Sequence, residues 1–139
     1  MDEPVVFDTS VLISLINEKK FESQFLEWIE KSSVFVSIVT ANELLRGCHD
    51  GVSRRIVREF LKVLDDRVVT PTRDHWMECA EISEQLLREQ KRTKLNVLLM
   101  QNDLLIALAA RQLGARLVTS DRKDFMILKG YVKVSIDFW

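Results

Sequence analysis

Short apolar runs alternate along this chain with longer segments of helical periodicity, and that alternation restricts the fold more than any other feature. Val5-Val6-Phe7, Val34-Phe35-Val36, Val68-Val69-Thr70 and Leu117-Val118-Thr119 are too short for helices and are apolar on both faces. Strands read this way when a sheet is covered on both sides. Val132 to Ile136 alternates and reads as a fifth strand. The intervening segments repeat apolar residues every three or four positions. Helices are expected over Thr9–Ile16, about Lys20–Lys31, Thr40–Cys48, Gly51–Leu64, from a Thr72 cap to about Lys91, and over Gln101–Leu113, with Asp124–Leu128 as one short turn. Ile56, Val57, Phe60, Leu61 and Leu64 form one expected buried stripe, and Trp76, Cys79, Ala80, Ile82, Leu86 and Leu87 another. Gly114 is placed to close the last long helix. The pattern predicts an α/β fold: a single domain with a central, mainly parallel sheet of about five strands flanked by helices.

Composition excludes several classes. With 139 residues, 47% hydrophobic and 29% charged, the chain suits one domain with a single core. A formal net charge of −1 argues against a general nucleic-acid coating protein. No apolar run approaches the ~20 residues that span a bilayer, and Met1-Asp2-Glu3-Pro4 lacks the basic start of a signal peptide. A cytoplasmic protein with no membrane partner is expected. Cys48 and Cys79 are then expected to be reduced. Zinc at Cys48, His49, His75 and Cys79 is disfavoured, because adjacent Cys48-His49 is poor spacing for tetrahedral ligation. Trp28, Trp76 and Trp139 fit a core or dimer interface better than base stacking.

Four acids sit where a strand gives way to a helix or where a helix opens: Asp8, Glu43, Asp103 and Asp121. Open parallel sheets bind ligands beyond the carboxyl ends of their strands, so all four can point into one crevice. Clustered carboxylates repel one another unless protonated or bridged by a cation. Oxygen-only ligands favour Mg²⁺ or Mn²⁺, and such an ion can activate water against a phosphodiester. Taken singly, each acid has a plainer role. Asp8 and Asp103 suit helix caps, and Glu43 a solvated helix face. What favours convergence is the apolar sequence beside them, Leu44-Leu45 after Glu43 and Leu104-Leu105-Ile106 after Asp103.

Four motifs follow in order: Val5-Val6-Phe7-Asp8-Thr9-Ser10, Glu43-Leu44-Leu45-Arg46-Gly47, Asp103-Leu104-Leu105-Ile106-Ala107 and Thr119-Ser120-Asp121-Arg122-Lys123-Asp124-Phe125. In these the chain resembles the PIN domains, and within them the toxin ribonucleases of VapBC-type toxin–antitoxin pairs. The resemblance covers residues 1–139 in order. It implies an endoribonuclease dependent on Mg²⁺ or Mn²⁺, with Asp8, Glu43, Asp103 and Asp121 catalytic. Asp124 joins them as a metal ligand, since relatives place the last acid at the position of Asp121, of Asp124, or of both. Thr9, Ser10, Asn102 and Thr119 supply supporting hydroxyl and amide groups, or serve as caps. It further implies an RNA substrate, a VapB-type antitoxin, and a homodimer for which the stripe of Phe21, Phe25 and Trp28 is a candidate face.

The chain departs from the pattern in one segment. Thr93-Lys94-Leu95-Asn96-Val97-Leu98-Leu99-Met100 is apolar where many relatives carry a Gly-Pro loop. Basic residues gather at Arg54, Arg55 and Arg58, at Lys91, Arg92 and Lys94, and at Arg122 and Lys123. They suit solvated faces or a rim for an RNA backbone. Two other functions fit the same sequence: an RNA-processing or repair nuclease without an antitoxin, and a catalytically silent interaction module. An aspartyl phosphatase fits poorly, since it needs a second Asp where Ser10 stands.

Overall fold

The computed structural model describes residues 3–18, 23, 27, 32–89 and 92–139. The helix expected near Lys20–Lys31, with Phe21, Phe25 and Trp28, falls outside these apart from Ser23 and Glu27. Five strands make one sheet: β1 (Glu3–Phe7), β2 (Ser32–Ser37), β3 (Val68–Val69), β4 (Arg116–Thr119) and β5 (Ile136–Phe138), in the order β3-β2-β1-β4-β5. Every pairing is parallel, as in Val6 against Phe35 on one side of β1 and against Leu117 on the other. The chain thus starts in the middle, fills one half of the sheet, and crosses β1 to fill the other. The switch point lies between the carboxyl ends of β1 and β4.

Both faces are covered, which explains the unbroken apolar runs. Val5, Phe7, Val34, Val36 and Val118 pack on one side with Val11 and Leu12 of α1 (Thr9–Glu18), Leu44 of α2 (Ile38–Arg46), and Val57 and Leu64 of α3 (Gly51–Leu64). Val6 and Leu117 point the other way. They meet α4 (Arg73–Arg88), α5 (Lys94–Leu99), α6 (Gln101–Leu113) and α7 (Arg122–Leu128). The period of two along β1 and β4 therefore sorts neighbouring residues into separate cores. In α6 every residue from Leu104 to Ala110 is buried, so this helix is apolar all round. It fixes the acid three residues into its start.

Several elements differ from expectation, each for a local reason. Helix α2 begins at Ile38 rather than Thr40, because the Ser37 hydroxyl accepts from the Val39 N–H and caps it there. The fifth strand is Ile136–Phe138, not Val132–Ile136. The amides of Tyr131 and Val132 donate to Leu128 O, closing α7, and ladder bonding starts only at Ser135, whose carbonyl accepts from Leu117 N. Helix α4 ends at Arg88, and its buried stripe is His75, Cys79, Ile82 and Leu86. Trp76, Ala80 and Leu87 are exposed. The stripe thus passes through His75, whose Nδ1 accepts from Thr72 N while its backbone N–H donates to Thr72 Oγ1, a reciprocal cap. On α3, Ile56 is exposed. The segment after Thr93 forms a helix, capped by the Thr93 hydroxyl. Both cysteines are free thiols, and Trp139 packs edge-on to Phe7 with ring centres 5.5 Å apart. No helix among the described residues is long and apolar enough to cross a membrane.

Gly114 closes α6 at φ 62°, in the left-handed region, with open space where a Cβ would stand. The demand for glycine is therefore purely conformational. Gly114→Ala is expected to cost about 1 kcal/mol of stability, and Gly114→Asn less, since Asn tolerates this region. Urea denaturation reads both. Equal stability of Gly114→Ala and the native chain would refute the assignment.

Candidate metal centre

The crevice at the switch point is built from four segments. Asp8 follows β1 directly and is almost wholly buried. Its Oδ2 accepts from the Ser10 hydroxyl at 2.7 Å and from the Thr119 hydroxyl at 2.9 Å. Each hydroxyl is in turn fixed by a backbone amide: Ser120 N donates to Ser10 Oγ, and Asp121 N to Thr119 Oγ1. Two relays thus run from the loop after β4, through hydroxyls on α1 and β4, to one carboxylate oxygen. Such chains strengthen each member. Burial pushes the Asp8 carboxyl above its ordinary range, and the Ser10 and Thr119 hydroxyls oppose that shift.

Glu43 sits on α2 across the crevice. The Thr9 hydroxyl lies 2.8 Å from Glu43 Oε1 and 3.0 Å from Thr40 Oγ1. Thr40 is fully buried one helical turn before Glu43, and its role was not anticipated. The spacing of three residues is the signal that could have found it. Asp103 lies in the first turn of α6, preceded by the half-buried Asn102. Asp121 caps α7, its Oδ1 accepting from Asp124 N at 3.2 Å.

One carboxylate oxygen from each of Asp103, Asp121 and Asp124 lies within 4.8 Å of the others. The expected ligands Asp8 and Glu43 flank this trio and are not part of it. All five are nevertheless coupled. Burial, and then the charges of Asp8, Asp121, Asp124 and Glu43 in that order, push the Asp103 carboxyl up to about 8. Asp103 is thus the focus of the cluster. The donor set fits a hard divalent cation, because three oxygen ligands converge and mutual repulsion needs a counter-charge. Two basic side chains reach the rim. Arg92 pairs with Asp124 at 3.0 Å, and the Arg122 guanidinium stacks on Phe138 at 4.7 Å.

With this geometry the sequence can be set beside known proteins. Residues 5–128 match the PIN domain family. The chain belongs to that family. No curated protein matches it. Among solved structures, this PIN domain is similar to a chain of VapBC2 from Rickettsia felis, in a complex with a promoter DNA fragment, with a TM-score of 0.71 and 18% identity over 98% of each chain. VapBC-1 from nontypeable Haemophilus influenzae gives 0.69 and 22%, again over 98% of each. FitAcB from Neisseria gonorrhoeae gives 0.68 and 19%, over 97% of this chain and 96% of that one. At such identities the likeness is one of fold.

The raised Asp103 and Asp8 carboxyls give the metal-free PIN domain a defined pH dependence. A carboxyl raised from 3.8 to about 8 holds its proton in the folded state while the unfolded chain has lost it. Stability is therefore expected to fall as pH rises between those values. In EDTA the melting temperature should drop from pH 5 to pH 8, and Asp103→Asn should flatten the drop. A melting temperature that rises over this interval in both proteins would contradict the coupling.

Proposed function

We propose that this PIN domain is a metal-dependent endoribonuclease, the toxin of a VapBC-type toxin–antitoxin pair. The observation that carries the reading is the meeting of Asp103, Asp121 and Asp124 in a crevice where Asp103 also feels Asp8 and Glu43. The likeness in fold to proteins from VapBC and FitAB assemblies supports it.

On this reading Asp103, Asp121 and Asp124 hold Mg²⁺ or Mn²⁺, with Asp8 and Glu43 completing the site. The bound cation would supply a counter-charge for the phosphate and lower the pKa of an attacking water. The chain's own residues set the geometry. Ser10 and Thr119 lock Asp8, and Thr9 holds Glu43 where it can orient that water. A bare crevice lined by five acids repels a phosphodiester, so cation and basic rim both matter to RNA binding. Arg122, placed by its stacking on Phe138 beside Asp121, suits the RNA backbone.

The same reading gives the protein a cytoplasmic role, a homodimeric state and a VapB-type antitoxin. The antitoxin would block the crevice by inserting a basic side chain among the carboxylates.

Asp8→Asn and Asp103→Asn are each expected to lower Mn²⁺-dependent cleavage of single-stranded or loop RNA by at least about a hundredfold. Both should abolish growth arrest when the chain is expressed alone, and both should fold. Full growth arrest by Asp8→Asn would mean that binding, not hydrolysis, causes the effect, and the silent-module alternative would replace this one. Cleavage without growth arrest would favour an RNA-processing nuclease.

A further inference from the structure

The acidic crevice contains a cation of the chain's own. Arg92 lies between α4 and α5, next to Thr93, which caps α5. Its Nη2 donates to Asp124 Oδ1 at 3.0 Å, and its side chain is only 15% exposed against 30% for Asp124. Asp124 is also fixed through its backbone, since its N–H donates to Asp121 Oδ1. The carboxylate that Arg92 grips is thus one of the three that approach within 4.8 Å.

An arginine is charged at every accessible pH, and its fork matches a carboxylate. The pair is half-buried, so solvent screens it only in part. Removing one partner of such a pair leaves the other charge uncompensated.

We infer that Arg92 is the resident counter-ion of the crevice, and that it competes with a divalent cation for Asp124 and so sets the cation affinity of the site. This rests on the reading that the crevice takes a divalent cation. Arg92 contributes fixed positive charge against the repulsion among Asp103, Asp121 and Asp124. It opposes a second cation for the same reason. Arg92 is a positioning residue, acting through Asp124 rather than on substrate. It also gives Asp121 and Asp124 different roles. Asp124 is shared between the arginine and the cation, whereas Asp121 divides its attention between the cation and the cap of α7.

The test is Mn²⁺ titration by calorimetry, with thermal melts in EDTA and in saturating Mn²⁺, on the native chain, Arg92→Gln and Arg92→Lys. Arg92→Gln should bind Mn²⁺ about tenfold tighter or more. It should melt lower than the native chain in EDTA and recover in Mn²⁺, because the divalent ion replaces the missing charge. Arg92→Lys, which keeps the charge, should bind Mn²⁺ within about threefold of the native chain. A purely structural clamp between α5 and α7 would give a melting loss that Mn²⁺ does not repair and an unchanged affinity. Either an unchanged or weaker Mn²⁺ affinity in Arg92→Gln, or its failure to fold even in Mn²⁺, overturns the inference. Tightening by Arg92→Lys as large as that by Arg92→Gln overturns it too. A native chain that binds no Mn²⁺ removes the cation reading and this inference together. Native Mn²⁺ binding without RNA cleavage removes the nuclease reading alone.

Discussion

Repulsion among like charges at the switch point is the constraint around which the rest of the structure is arranged. Asp8, Glu43, Asp103, Asp121 and Asp124 come from four segments of the chain, and burial first, then the charges of the other four, raise the Asp103 carboxyl to about 8. The mutual repulsion of these acids opposes their assembly. The cluster persists because the elements that carry the acids are fixed by apolar packing. Asp8 follows a strand with Val5, Val6 and Phe7 fully buried, and Asp103 opens a helix buried without interruption from Leu104 to Ala110. Apolar burial of this extent offsets the local electrostatic cost.

Polar detail then decides how each carboxylate is presented. Asp8 is held by two hydroxyl relays that begin at the amides of Ser120 and Asp121. The loop after β4 thereby orients a residue after β1, and the two halves of the crevice cannot shift independently. Among buried side chains in the described residues no polar atom lacks a hydrogen-bond partner. The relays are part of that economy, and they leave Asp8 little freedom to rotate. Across the crevice the Glu43 carboxylate accepts from the Thr9 hydroxyl at 2.8 Å.

Much of the fold was legible because its signals are local. Gly51–Leu64 and Gln101–Leu113 form as helices over the residues expected, the first opened by Asp50 and the second closed by Gly114. The structure departs from the local signal where a segment offers two nearly equivalent periodic faces. On α4 the apolar residues Trp76 and Leu87 suggested one stripe, but the buried face runs through His75, Cys79, Ile82 and Leu86, with His75 also making the reciprocal cap with Thr72. Val132 looked like part of a strand, yet its amide completes α7 and its side chain fills the core. Short apolar runs do not say whether they pair with a strand or merely plug a gap.

The sequence by itself determined the alternation of strands and helices and the positions of the acids relative to them. Both follow from the periods of buried faces and from capping chemistry, which act over a few residues. Only the tertiary structure decided the composition of the inner trio, in which Asp103, Asp121 and Asp124 approach most closely while Asp8 and Glu43 stand beside them. The pairing of Arg92 with Asp124, residues separated by 32 positions, is equally absent from any local pattern. The reason is geometric. Which carboxylate oxygens and which guanidinium meet depends on the order β3-β2-β1-β4-β5 and on rotamers fixed by packing, and neither leaves a mark on the residues nearby in sequence.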